Sequence, residues 1–202
     1  MTRRKVSNPL ALAVLACLYE RPMHPYEIAS TLRERHKDES IKLNYGSLYS
    51  VVESLKGHAL ITEQETERQG NRPERTVYQI TDAGRLELID WLSELLCRPV
   101  KEFTRFEAGL SLLPVLPPKD AAALLEERCK RLAVELEQYR SQRSSYLLRE
   151  LPRLFLIESE YWMALREAEL KWTRALIADI TSGTLEGMDQ WLKHHETLGA
   201  RN

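Results

Sequence analysis

The sequence predicts a mainly α-helical chain of 202 residues in two domains, residues 1–97 and residues 98–202. Three observations lead there. Apolar residues recur at helical spacing through most of the chain, and Asn, Thr, Pro and Gly punctuate the runs. Two β-branched segments lie close together between residues 60 and 80, one on either side of a turn-forming stretch. Composition shifts near residue 98, and almost everything beyond it reads as helix.

The first domain opens at Asn8-Pro9, where Asn serves as a cap and Pro fits the first helical position. Leu10, Val14, Leu15 and Leu18 share one face of that helix, and Pro22 stops it. His24-Pro25 restarts the chain, with Ile28, Ala29 and Leu32 on one face of a second helix reaching about His36. Asn44 caps a third helix, in which Leu48, Val51, Val52 and Leu55 recur at i, i+3, i+4 and i+7. Gly57 gives its end signal. The runs Leu60 to Glu67 and Arg75 to Ile80 flank the turn Arg68-Gln69-Gly70-Asn71-Arg72-Pro73 and read as a β-hairpin. Thr81 caps a fourth helix from Asp82 to about Leu96, with Leu86, Ile89, Leu92 and Leu96 as its apolar stripe. Helix, helix, helix, hairpin, helix is the order of a winged helix-turn-helix with a two-stranded β wing.

The second domain reads as all-helical. Phe103, Phe106, Leu110 and Leu113 mark a short helix, broken from Pro114 to Pro118. Leu125, Cys129, Leu132, Leu136, Tyr139, Arg143 and Tyr146 then fall at alternating steps of four and three, a heptad seam with one charged member. After Pro152 a long helix carries two stripes. One is Leu154, Ile157, Tyr161, Ala164, Ala168, Ala175 and Ala178; the other is Trp162, Leu165, Trp172, Leu176 and Ile180. Gly183 ends it, and a last amphipathic segment holds Leu185, Met188, Trp191, Leu192 and Leu198. More apolar surface than one hairpin can cover predicts a coiled-coil-like interface and a homodimer.

Composition narrows the classes. Apolar residues make up 43% and charged residues 29%, a globular balance, and no apolar run approaches membrane-spanning length. The basic start followed by Pro9 to Leu18 lacks a small-residue cleavage site and reads as a helix, so a cytoplasmic location is expected. Cys17, Cys97 and Cys129 are odd in number and widely spaced, which fits neither a disulfide framework nor a zinc site. His24, His36, His58, His194 and His195 lack metal-ligand spacing, and there is no phosphate-binding glycine loop or nucleophile elbow. No catalytic residue, metal or cofactor is expected. The formal net charge of −1 gives no bulk argument for nucleic acid, so that case rests on local pattern.

That pattern centres on the third helix. Its first turn, Tyr45-Gly46-Ser47-Leu48-Tyr49-Ser50, carries hydroxyls at Tyr45, Ser47, Tyr49 and Ser50 suited to phosphate oxygens or base edges, and Lys42 and Asn44 stand just before it. Gly46 reads as a place where backbone approaches backbone closely. Arg68, Arg72 and Arg75 surround the hairpin turn, where arginines reach phosphate or the minor groove.

Three separated motifs then carry a resemblance. His24-Pro25-Tyr26-Glu27-Ile28, Gly46-Ser47-Leu48-Tyr49, and Gly70-Asn71-Arg72-Pro73-Glu74-Arg75 running into Tyr78-Gln79-Ile80-Thr81-Asp82-Ala83-Gly84-Arg85 resemble the PadR family of bacterial transcriptional regulators over roughly residues 8 to 95. The helical second half is similar to the family's longer members. The resemblance implies a sequence-specific DNA-binding repressor, a homodimer on a palindromic double-stranded operator, with contacts near His24 and Tyr26, on Tyr45, Ser47 and Tyr49, and on Arg72 and Arg75. It also implies a small aromatic or lipophilic effector, for which Trp162 and Trp172 are the candidates; aromatic residues at helical spacing are more often core. Pro25 stands where the family usually has Gly, which predicts a stiffer turn. The competing reading is a winged-helix module that binds protein and does not read DNA.

Overall fold

The structure, a computed structural model, describes residues 6–37, 40–64, 76–147 and 152–199. The hairpin turn, with Arg68, Arg72 and Arg75, lies outside the described residues, as do the side chains of Tyr146 and Leu198. The chain divides into two compact units, Met1–Lys101 and Glu102–Asn202.

In the first unit, helix α1 spans Pro9–Glu20 and is nearly enclosed. The Asn8 side chain accepts the Leu10 N–H at 3.0 Å, and Pro9 stands at the first position, where its missing N–H leaves no bond unmade. Leu10, Ala11, Val14, Leu15 and Leu18 are all buried, so α1 is the post around which the unit packs. Helix α2 (Pro25–Glu34) presents Ile28, Ala29 and Leu32 to this core, and α3 (Tyr45–Gly57) presents Leu48, Val51, Val52 and Leu55. Each of the Val, Leu and Ile side chains among these contributes roughly 1.5–3 kcal/mol on burial. Bidentate pairing of Arg35 with Glu20 ties the residue after α2 to the end of α1, and it holds the Glu20 carboxyl below its ordinary range.

Helix α3 does end at Gly57, but Gly57 is its last helical residue and not the left-handed one beyond it. The left-handed residue past α3 is Ala59, at φ 55°, and the Leu60 N–H closes on the Leu55 carbonyl at 3.0 Å. Helix α2 likewise ends at Glu34, before His36, which takes φ 55°.

Strands β1 (Ile61–Gln64) and β2 (Val77–Ile80) pair antiparallel, with Ile61 opposite Ile80 and Gln64 opposite Val77. Tyr78 and Ile80 face the core, as their alternation required. Met23, in the α1–α2 connection, adds a bridge: Met23 and Tyr78 exchange both backbone bonds at 3.0 Å.

Helix α4 (Asp82–Cys97) begins where Thr81 Oγ1 accepts the Gly84 N–H at 3.0 Å. Its inward residues are Gly84, Leu88 and Trp91. The stripe expected from the sequence faces outward: Leu86 is 71% exposed and Leu96 86%, with Ile89 and Leu92 also open. Apolar residues surround this helix on all sides, so periodicity alone selected the wrong face.

The second unit begins with α5 (Arg105–Ser111), capped by Thr104, and a 3₁₀ turn at Leu113–Val115. Helix α6 (Pro118–Leu147) then pairs with α7 (Ile157–Ser182), which Gly183 terminates at φ 74°. Leu125, Cys129, Leu132 and Leu136 of the seam are buried. Those from Cys129 to Leu136 pack with Met163 and Leu170 of α7, so this part of the seam is covered within one chain. Arg143, the seam's charged member, donates to Glu160 at 2.6 Å, and Arg153 grips the same carboxylate. Of the two α7 stripes, the one from Leu154 through Ile157 and Tyr161 to Ala178 stays exposed, while Trp162, Leu176 and Ile180 turn inward. Helix α8 (Met188–Gly199) buries Trp191, whose Nε1 donates to the Leu116 carbonyl at 2.8 Å.

Candidate nucleic-acid interface

The start of α2 is built by two reciprocal bonds. His24 Nδ1 accepts the Tyr26 N–H at 3.1 Å, and Glu27 Oε2 accepts the His24 N–H at 2.9 Å, forming a capping box. Pro25 occupies the first helical position and is buried, and the helix start is intact around it. His24 thereby acts as a cap, and its half-buried ring is committed to the backbone. Tyr26, next along, points outward and is 57% exposed.

The start of α3 lies beside it. Asn44 Oδ1 accepts the Ser47 N–H at 2.7 Å and satisfies one of the helix's free donors. Tyr45 is 41% exposed and Tyr49 48%. The Tyr26 and Tyr45 rings are nearly parallel, 14° between planes and 6.4 Å between centroids. Arg33, from the last turn of α2, donates to the Tyr45 hydroxyl at 2.5 Å and holds its guanidinium carbon 4.6 Å from the ring centroid. Ser50 Oγ donates back to the Gly46 carbonyl at 3.0 Å, so that hydroxyl's hydrogen is spent within the helix. Ser47 is half-buried, and Lys42 is exposed.

Thus His24, Tyr26, Asn44, Tyr45, Ser47, Tyr49 and Ser50 belong to the starts of two neighbouring helices, with Lys42 on the approach. Gly46 corrects one expectation. Among the described residues a β-carbon there would meet only Asn44 Oδ1, at 3.6 Å, so no backbone of another described segment presses on it. Arg33 is the residue that sequence reasoning missed. It stands twelve positions from Tyr45, a separation no helical period encodes.

The far end of α3 is tied to the hairpin. Lys56 pairs with Glu63 of β1 at 2.5 Å, and the Tyr78 hydroxyl donates to Glu53 at 3.4 Å. Burial and the adjacent Glu53 raise the Tyr78 hydroxyl above its ordinary value, keeping it a neutral donor.

In the second unit, Trp162 is half-buried and stacks on Tyr139, 4.0 Å between centroids. Trp172 is half exposed and meets Phe106 edge-on at 6.5 Å. An open groove of about 470 Å³ runs past Arg128, Arg131 and Arg166, floored by Leu124 and Leu132; neither tryptophan lines it. Among the described residues no cluster of His, Cys, Asp and Glu is arranged to hold a metal, and no helix is long and apolar enough to cross a membrane.

Comparison with known proteins places the fold. The chain resembles PadR of Bacillus subtilis in complex with operator DNA at TM-score 0.65 and 21% identity, over 87% of this chain and 99% of that one. It resembles the same protein in complex with p-coumaric acid at TM-score 0.67 and 18% identity, over 85% and 98%. The virulence activator AphA of Vibrio cholerae gives TM-score 0.64 and 20% identity, over 86% and 98%. No curated protein matches the chain. Residues 14–90, which take in the second half of α1, α2, α3, both strands and the first half of α4, match the transcriptional regulator PadR-like family.

Proposed function

We propose that this protein is a DNA-binding transcriptional repressor, that Tyr26, Lys42, Asn44, Tyr45, Ser47 and Tyr49 form its operator-reading face, and that Arg72 and Arg75 supply wing contacts. The observation that carries this reading is the exposed pair of stacked tyrosines at the joined starts of α2 and α3. Aromatic rings left open to solvent at a helix N-terminus are badly placed for folding and well placed for a polyanion, because the helix dipole there is positive and the hydroxyls face out. The complex of Bacillus subtilis PadR with operator DNA supports the assignment of partner. A repressor that binds and releases DNA needs no catalytic residue.

Residues 98–202 are assigned to dimerisation. The α6–α7 hairpin covers its own seam from Cys129 to Leu136 and leaves Leu154, Ile157, Tyr161 and Leu165 open, a row that a second copy would cover. A two-fold dimer places two recognition helices roughly one DNA turn, about 34 Å, apart and suits a palindromic operator. The complex of Bacillus subtilis PadR with p-coumaric acid supports a small aromatic effector, with Trp162 and Trp172 as the rings whose packing it would disturb.

The test is a gel shift with duplexes from upstream of the chain's own gene, repeated across a salt series. A band shift with a steep inverse salt dependence, weakened by Arg72→Ala and Arg75→Ala, supports the reading. Absence of any shift at low salt refutes it. Sedimentation of the full chain beside a chain ending at Leu96 tests the dimer, and tryptophan fluorescence titrated with phenolic acids tests the effector.

A further inference from the structure

Tyr45 and Arg33 carry an inference that rests on the DNA-binding reading and deepens it. Tyr45 begins α3, and Arg33 ends α2. The Arg33 guanidinium donates to Tyr45 Oη at 2.5 Å while lying 4.6 Å from its ring centroid, and Tyr26 stacks on the same ring at 6.4 Å. All three side chains are exposed. The ring therefore contacts both an arginine and a second ring, and its hydroxyl already accepts a charge-assisted bond.

A phenol oxygen that accepts from a guanidinium is polarised to give up its own proton toward a second acceptor. Its outward character is then fixed as donor. Nucleic acid offers such acceptors in phosphate oxygens and in guanine N7 and O6, adenine N7 or thymine O4; the amino groups of cytosine and adenine are donors and do not fit. We infer that Arg33 is a positioning residue for DNA recognition: it holds the Tyr45 ring in place beside Tyr26 and makes the Tyr45 hydroxyl a hydrogen-bond donor to an acceptor on the duplex.

The alternative is that Arg33 contacts phosphate itself and that Tyr45 is a bystander. The two differ in coupling and in salt dependence. A direct phosphate contact adds about one unit to the slope of log affinity against log salt. A positioning residue leaves that slope unchanged and acts only through the hydroxyl it holds.

The experiment uses the full chain and a duplex enriched by the wild-type protein from a randomised double-stranded library. Arg33→Ala, Tyr45→Phe and the double variant are measured on that duplex and on a scrambled one across a salt series, with thermal unfolding as a check on folding. Each single variant is expected to lose roughly tenfold in affinity at an unchanged salt slope. The double variant is expected to lose no more than either single one, and Arg33→Lys is expected to recover part of the loss. A loss confined to the enriched duplex places the acceptor on a base; an equal loss on the scrambled duplex places it on phosphate, and both outcomes uphold the inference. Additive losses, or a salt slope reduced by Arg33→Ala, overturn it and leave the DNA-binding reading standing. A wild-type chain that enriches no duplex overturns both.

Discussion

Gly84, at the start of α4, lies so close to the Leu60 carbonyl that a β-carbon built on it would stand 2.0 Å from the Leu60 oxygen. The same oxygen accepts the Thr81 N–H and the Thr81 hydroxyl, both at 3.0 Å. One backbone atom thus seats the beginning of α4 against the end of the α3–β1 turn, and only glycine leaves room. Gly84→Ala is expected to destabilise the fold by about 1–3 kcal/mol through overpacking against backbone. Gly109→Ala, where an added β-carbon meets nothing within 4 Å, serves as the control and is expected to be neutral or stabilising. Urea unfolding of both variants gives the comparison; equal midpoints would remove the steric account.

Gly46 is the opposite case. It sits in the first turn of α3, where an added β-carbon would make only an ordinary contact with Asn44 Oδ1 at 3.6 Å. Gly46→Ala is expected to raise stability by about 0.5–1 kcal/mol, since a helical glycine forfeits that much relative to alanine. In the proposed function the added methyl faces the duplex, so affinity for operator DNA falls while the melting temperature rises. A variant that is both more stable and fully DNA-competent would show that α3 does not approach DNA by its first turn.

Glu160 links acidity to the second unit. Its bonds to Arg153, with Arg143 near, hold the carboxyl below the ordinary glutamate value of 4.5. A folded-state value below the unfolded one means that folding favours the ionised form. That stability is fully present above the unfolded value and is lost as pH falls through the folded one. Thermal unfolding of the wild-type chain from about pH 7 to about pH 3 should therefore show a fall that Glu160→Gln flattens. Near neutrality the variant should melt lower, and the two curves should converge in acid. A constant gap between them across the range contradicts the assignment.

Cys17 and Cys97 should differ sharply toward alkylation. Burial pushes the Cys17 thiol up to about 11, whereas Cys97 lies exposed near the end of α4. The thiolate is the nucleophile, and Cys17 supplies almost none of it near neutral pH. Iodoacetamide at about pH 8 is expected to label Cys97 in the native chain and Cys17 only after denaturant is added. Mass mapping that finds Cys17 labelled as fast as Cys97 would mean that α1 is not enclosed.

What could be read from the sequence was what local chemistry determines. Asn8, Asn44, Thr81 and Thr104 each cap a helix through their own side chains, and the first three announce helix starts without knowledge of the fold. The faces of α2 and α3 were legible because each has one apolar side. Helices α4 and α7 were not, because both are apolar around most of their circumference. In α4 the choice between Leu88 and Leu86 is made by Gly84 fitting under Leu60, a contact between segments more than twenty residues apart. In α7 the choice is made by α6, which takes Met163 and Leu170 and leaves Tyr161 and Leu165 outside. The candidate interface was legible as hydroxyls in a first turn. Arg33 was not, since its meeting with Tyr45 depends on how α2 and α3 cross.

The paired backbone bonds of Met23 and Tyr78 carry a mechanical consequence. They splice the turn before α2 onto the hairpin as a third, one-residue strand, and His24 follows directly. A pull along the hairpin then loads peptide hydrogen bonds and arrives at the base of α2 after a single residue, without passing through flexible side chains. Hairpin and α2 are thus yoked like two prongs on one handle.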